Sequence, residues 1–124
     1  NSILDGISIS LPAVTRSLKL QKRAAKEGFD WKKSEDTLKK VKEELNELAF
    51  EMKANNKKKI REELGDLLFS CINLSRKLEI DTETVIRESN RKFEKRFKKM
   101  EKKMNKKSLK WDLKNLEKEW QNSK

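Results

Sequence analysis

Two short acidic segments hold the residues best suited to chemistry: Glu43-Glu44-Leu45-Asn46-Glu47 and Glu62-Glu63-Leu64-Gly65-Asp66. Glu44 and Glu47 lie three positions apart, as do Glu63 and Asp66. On a helix, residues at that spacing share one side, about a turn apart. Each segment can therefore aim two carboxylates at one spot. Four carboxylates in one place repel strongly unless a cation joins them. Carboxylate oxygen suits a hard divalent ion such as Mg2+ or Mn2+, and Mg2+ held this way keeps several waters. Such a centre can bridge phosphate oxygens, lower the pKa of a bound water and stabilise charge developing on a phosphoryl group. A plainer reading stands beside it, because a chain with 21 acidic residues also carries Glu-x-x-Glu pairs as solvated helix faces.

Composition removes several other chemistries. There is no histidine, which excludes Ser-His and Cys-His catalysis, His-ligated zinc and the Glu-x-x-His di-iron bundle. The single cysteine, Cys71, excludes an internal disulfide and fits a reducing, cytoplasmic setting. It lies in an apolar run with Leu67, Leu68, Phe69, Ile72 and Leu74, so a buried structural thiol is expected. No apolar run approaches 18 residues, so no membrane partner is expected. The net charge of +11 attracts polyanions, or reflects a lysine-rich solvated surface.

The elements that must position the carboxylates are helices. With 43% charged residues, 34% hydrophobic, 3 Gly and 1 Pro, an all-α domain is expected over the whole of 1–124. Pro12 suits the first turn of a helix running to about Lys26, with Gly28 as its stop. A second helix is predicted from near Ser34, with Thr37 as an alternative cap, to about Ala54. Leu38, Val41, Leu45, Leu48 and Met52 form its stripe. Asn55, Asn56 and Lys57–Lys59 read as a turn or loop. A third helix over about 60–78 carries Ile60, Leu64, Leu67, Leu68, Cys71, Leu74 and Leu78. Asp81 is expected to cap a long fourth helix to about Met104, with Val85, Phe93, Phe97, Met100 and Met104 in line. Ser108 is the expected cap of a fifth segment carrying Leu109, Leu113, Leu116 and Trp120. At about 100° per residue, Glu44 falls just beyond the edge of the second stripe, and Glu63 and Asp66 border the third. Antiparallel packing of these two helices would bring all four carboxylates to the margin of one seam. The apolar stripes are narrow for a monomer, so a homodimer or higher homo-oligomer is expected.

These residues resemble a known pattern. Glu43-Glu44-x-x-Glu47 followed by Glu63-x-x-Asp66 is similar to the EExxE and ExxD signature of the all-α NTP pyrophosphohydrolases. The surrounding text resembles the MazG branch, particularly its C-terminal catalytic domain. Supporting stretches are Leu-Asp-Gly-Ile (4–7), Leu-Pro-Ala (11–13), the run from Leu20 to Trp31, Glu-Glu-Leu-Gly-Asp-Leu-Leu-Phe (62–69), Asn-Leu-Ser-Arg-Lys-Leu (73–78), Asn-Arg-Lys-Phe-Glu-Lys-Arg-Phe (90–97) and terminal Trp120-x-x-x-Lys124. The resemblance covers nearly the whole chain, in order.

The resemblance implies a four-helix-bundle-like catalytic domain with a C-terminal helical extension, dimerisation, and hydrolysis of nucleoside triphosphates to monophosphate and pyrophosphate. It implies Mg2+, with Mn2+ as substitute, at Glu44, Glu47, Glu63 and Asp66. Lys92 and Arg96, with Asn90 beside them, take the positions that contact phosphates. Trp120 and Lys124 match a terminal motif that helps enclose the nucleotide. Lys22, Arg23 and Trp31 lie in the matching first-helix stretch as further substrate-binding candidates. Glu44 or the outer Glu43 is the candidate for orienting or deprotonating the attacking water. Many members carry two such units in tandem; this chain has one and begins at Asn1, so it is expected to be part of a longer protein. Two other functions fit the residues less fully: a sibling enzyme acting on dUTP or phosphoribosyl-ATP, and a non-enzymatic basic helical protein binding nucleic acid through 91–107. For the latter no sequence-reading motif is present, and nucleic acid is not the expected partner.

Overall fold

In the computed structural model, which describes residues 1–124, Pro12 opens the first helix with φ −53°, and its carbonyl accepts from the Arg16 N–H at 2.9 Å. Helix α1 (Ala13–Lys26) ends where Gly28 takes φ +95°. The Phe29 N–H reaches back to the Ala24 carbonyl and the Gly28 N–H to that of Ala25, a paired closure that glycine reaches without a Cβ penalty. Helix α2 (Ser34–Ala54) carries Glu35 and Asp36 in its first turn and Lys53 in its last, each sign complementing the helix dipole. Asn55 then adopts a left-handed conformation, φ 54°.

The next residue, Asn56, starts α3 (Lys57–Lys77) by accepting the Lys59 N–H on its side chain at 3.2 Å. This corrects the expected loop over 57–59. An asparagine cap satisfies an orphan amide and lets the three lysines form the first helical turn. Helix α4 spans Thr82–Lys106 and α5 Leu113–Gln121, and there is no strand. The all-α class expected from composition is what the chain adopts.

The residues form two compact units, Asn1–Glu83 and Thr84–Lys124. In the first, both α1 and α2 pack on α3, and α2 and α3 form a tight hairpin. Two residues cannot reverse a helix except into an antiparallel neighbour. The interior of this unit is unusual: its buried side chains are Gln21, Thr37, Glu44, Ser70 and Thr82, all polar. The Ser75 hydroxyl donates to the Ile72 carbonyl, so the bond it shares with Thr82 is donated by Thr82. Apolar side chains of the expected stripes, Leu38, Leu45 and Met52 on α2 and Leu64 and Leu68 on α3, remain exposed. Cys71 is exposed as well, which corrects the expected buried thiol. Its side of α3 is turned away from α1 and α2, so its apolar neighbours do not enclose it.

In the second unit, Met100 and Met104 are the buried apolar residues. Helix α4 closes with Ser108 left-handed, φ 51°, and the Leu109 N–H bonded to the Met104 carbonyl. Ser108 therefore ends α4 rather than capping α5. The cap of α5 is Asp112, whose Oδ1 accepts the Asn115 N–H at 2.9 Å. Lys107 Nζ bonds Glu119 at 2.6 Å, and the Ser123 hydroxyl donates to the Glu119 carbonyl.

Candidate functional site

The hairpin sets the register of the acidic segments. Glu44 lies eleven residues before Asn55 and Asp66 eleven after; Glu47 lies eight before and Glu63 eight after. Antiparallel helices with the same rise per residue bring such positions to equal height. Carboxylate oxygens of Glu44, Glu63 and Asp66 all lie within 4.8 Å of one another. Trans ligands of an octahedral Mg2+ are about 4.2 Å apart, twice its usual bond length, so the span is close to that of a metal cage. Glu47 joins through Glu63, with which it shares a hydrogen bond. Glu47 and Glu63 also line a small cavity of about 270 Å3 with Asn46, Phe50 and Glu51.

The charges are crowded and incompletely neutralised. Loss of solvation, the hydrogen bond that protonated Glu63 donates to the Glu47 carboxylate, and the negative charges of Glu47, Asp66 and Glu44 together raise the Glu63 pKa from 4.5 to about 7. Glu44 is 5% exposed. One of its oxygens meets Lys40 Nζ at 3.0 Å, and Lys40 also reaches the solvated Glu43 at 3.5 Å. The hydrogen bond to Glu44 holds the Lys40 pKa above its ordinary value. Glu44 Oε2 and Glu63 Oε2 are buried without any hydrogen-bond partner. Two orphaned carboxylate oxygens, an all-oxygen donor set and a raised carboxylate pKa are what a hard divalent ion would relieve.

Gly65 stands between Glu63 and Asp66, and a Cβ placed there would meet nothing within 4 Å.

The other sequence candidates divide between the units. In the first, Lys22 is exposed. Arg23 is committed elsewhere: its Nη1 donates to the carbonyls of Ile3 and Asp5, both at 2.9 Å, tethering the N-terminal segment. Trp31 belongs to the α1–α2 connector, which Arg76 and Lys77 of α3 hold down. Arg76 meets Asp30 at 2.6 Å and Lys77 donates to the Trp31 carbonyl. The Arg76 hydrogen bond pulls the Asp30 pKa below its ordinary value.

In the second unit, the Arg96 guanidinium lies 4.0 Å from the centre of the Trp120 ring and donates to the Trp120 carbonyl at 3.1 and 3.3 Å. Phe93 packs on both Phe97 and Trp120, at 5.9 and 5.4 Å between ring centres. Arg96 and Trp120 thus form one cation–aromatic module. Asn90, Lys92 and Lys124 are exposed.

Sequence reasoning passed over three residues. Lys40 precedes Glu44 by four positions, and Glu51 follows Glu47 by four, so both had the spacing that shares a helix side. Gln21 had no such signal, because its burial depends on α3 packing across it.

Residues 32–101, more than half of the chain, match the family described as the MazG nucleotide pyrophosphohydrolase domain. The chain is similar to a nucleoside triphosphate pyrophosphohydrolase of Escherichia coli (strain K12), 40% identical over 129 aligned positions that take in 100% of this chain and 49% of that protein. It is also similar to a nucleoside triphosphate pyrophosphohydrolase/pyrophosphatase MazG of Thermotoga maritima, 39% identical over 93 residues, 75% of this chain and 35% of that protein. The chain spans about half, or less, of the curated relatives it matches.

Proposed function

Because this chain belongs to the MazG nucleotide pyrophosphohydrolase family, we propose that it hydrolyses nucleoside triphosphates to monophosphate and pyrophosphate with Mg2+ held by Glu44, Glu47, Glu63 and Asp66. The observation that carries this is the meeting of three carboxylates from two antiparallel helices within 4.8 Å, two of them with an orphaned oxygen. Mn2+ shares the preference for hard oxygen and would substitute.

When bound, the metal supplies charge neutralisation at the phosphates and acidifies a coordinated water. The chain's own residues do the rest. Lys40 holds Glu44 in place and offsets part of the cluster's negative charge. Glu43, solvated and only loosely paired with Lys40 at 3.5 Å, is the candidate carboxylate to orient or deprotonate an attacking water. Lys92 and Arg96 take phosphate oxygens, with Asn90 and Lys124 nearby in the motif, and Trp120 flanks the nucleotide. Arg96 is pre-oriented by Trp120, which lowers the entropy lost on binding an anion.

The reading as a nucleic-acid protein is weaker. Within 91–107, Arg96, Lys103 and Lys107 are engaged with α5 or the residues just after it, and Lys98 with Glu94. No helix is long and apolar enough to cross a membrane. The exposed apolar residues of α2 and α3 support self-association as a dimer or larger homo-oligomer.

A panel of NTPs, dUTP and phosphoribosyl-ATP with Mg2+, read by pyrophosphate release, tests the proposal and separates the sibling activities. Glu63→Ala should abolish release while leaving the helical circular-dichroism signal intact. Full activity in that variant would remove the site assignment. Duplex binding without any hydrolysis would favour the nucleic-acid reading.

A further inference from the structure

A cavity of about 630 Å3 in the first unit lies beside the acidic cluster and is not used by the metal chemistry. Leu20, Ala24, Phe29, Trp31 and Phe69 make its walls apolar and aromatic. The three rings are accessible, Phe29 at 84%. Two lining residues connect the cavity to the carboxylates. Lys40 pairs with Glu44, and Ser70 follows Asp66 by one helical turn. Its volume is in the range of small-molecule sites.

The polar groups of the wall are fixed in direction. Gln21 is 7% exposed, its Nε2 donates to the Phe69 carbonyl at 3.1 Å, and its Oε1 has no partner. Turning the amide over would set two carbonyl oxygens against each other, so the orientation is held. A buried acceptor without a partner is destabilising and invites a donor. Asn73 is fixed in the opposite sense. Its Oδ1 accepts from Arg76 at 2.9 and 3.0 Å, which leaves its Nδ2 as a donor.

An aromatic slot with an acceptor and a donor on its wall, next to a phosphate-type metal cluster, suits a planar heterocycle with a polar edge. We propose that this cavity seats the nucleobase of the triphosphate and that Gln21 Oε1 accepts a hydrogen bond from an exocyclic amino group on its edge. This rests on the triphosphatase reading of the acidic cluster. Cytosine and adenine present an amino group where uracil and hypoxanthine present a keto oxygen. That oxygen would face the Gln21 oxygen with no proton between them. The cavity therefore prefers cytosine to uracil and adenine to hypoxanthine.

The test compares kcat/KM for CTP against UTP and for ATP against ITP in the wild-type chain and in Gln21→Leu. The amino-bearing substrate should lead by about tenfold, the worth of one neutral hydrogen bond. In Gln21→Leu both ratios should fall towards one, through a rise in KM for CTP and ATP. A general structural defect would lower all four substrates alike. Unchanged ratios in an active Gln21→Leu protein overturn the inference and leave the hydrolase reading standing. A second arm needs neither metal nor turnover: cytidine and uridine are titrated into the 15N-labelled wild-type chain, with the Trp31 indole signal assigned through Trp31→Phe. Cytidine should move the Trp31 indole and Gln21 amide signals at lower concentration than uridine does. Movement confined to the Trp120 indole, or none at either residue, overturns the inference even if no NTP is hydrolysed.

Discussion

Binding of Mg2+ to the carboxylate cluster should release a proton from Glu63, in an amount that depends steeply on pH. The Glu63 pKa is raised from 4.5 to about 7 in the folded, metal-free chain. Glu63 is therefore about nine-tenths protonated at pH 6, about half at pH 7 and about one-tenth at pH 8. A metal requires the carboxylate form, so those fractions are the protons expelled per site. Calorimetric titration of Mg2+ in buffers of differing ionisation enthalpy measures them directly. Stability follows the same group. With the folded pKa raised, the protonated form favours folding, fully below pH 4.5, and this contribution is lost as pH rises through 7. The metal-free chain should lose urea resistance across that window, and Mg2+ should cancel the loss by compensating the ionised cluster. Proton release near zero at pH 6, with Mg2+ bound, would refute the crowded-charge account. Release that persists in Glu63→Gln would show that Glu63 is not its source.

Gly65→Ala should stabilise the chain by about 0.5–1 kcal/mol, because α3 gains helix propensity and the new Cβ meets nothing within 4 Å; a lower denaturation midpoint would contradict this. Lys40→Met should cost about 1 kcal/mol in the absence of metal, since Glu44 loses its cation while Lys40 itself is partly solvated. Mg2+ should recover most of that loss in parallel melts. Glu119→Gln should lower stability at neutral pH, because the Lys107 hydrogen bond holds the Glu119 pKa below 4.5. That stabilisation is present above pH 4.5 and lost as pH falls through the folded pKa, so wild-type and variant melting temperatures should converge on acidification.

Local periodicity was enough to determine that this chain is helical. It also determined where α1 and α2 stop and that Glu44/Glu47 and Glu63/Asp66 each share a helix side. These follow from 3.6 residues per turn, from Gly28 at a left-handed closure and from the lack of strand formers, all short-range effects. Even the height match of the four acids about Asn55 is written in the spacing, once the turn is known to be two residues long. The turn itself was misread, because the capping bond from Asn56 outweighed the lysine run.

Only the tertiary structure decided what each side chain meets. Glu44 is buried with Lys40 on one oxygen and nothing on the other, and Glu63 is pushed to a pKa of about 7 by lost solvation first, then by carboxylates across the hairpin and on its own helix. Arg23 holds the N-terminal segment and Arg96 lies on Trp120. Cys71, apolar by neighbourhood, faces out because no element of its unit covers that side of α3. Burial and charge coupling depend on which surfaces are brought within a few ångströms of each other. Residues far apart in sequence decide that, so the carboxylate pairs were legible from spacing, while their charge state had to wait for the hairpin.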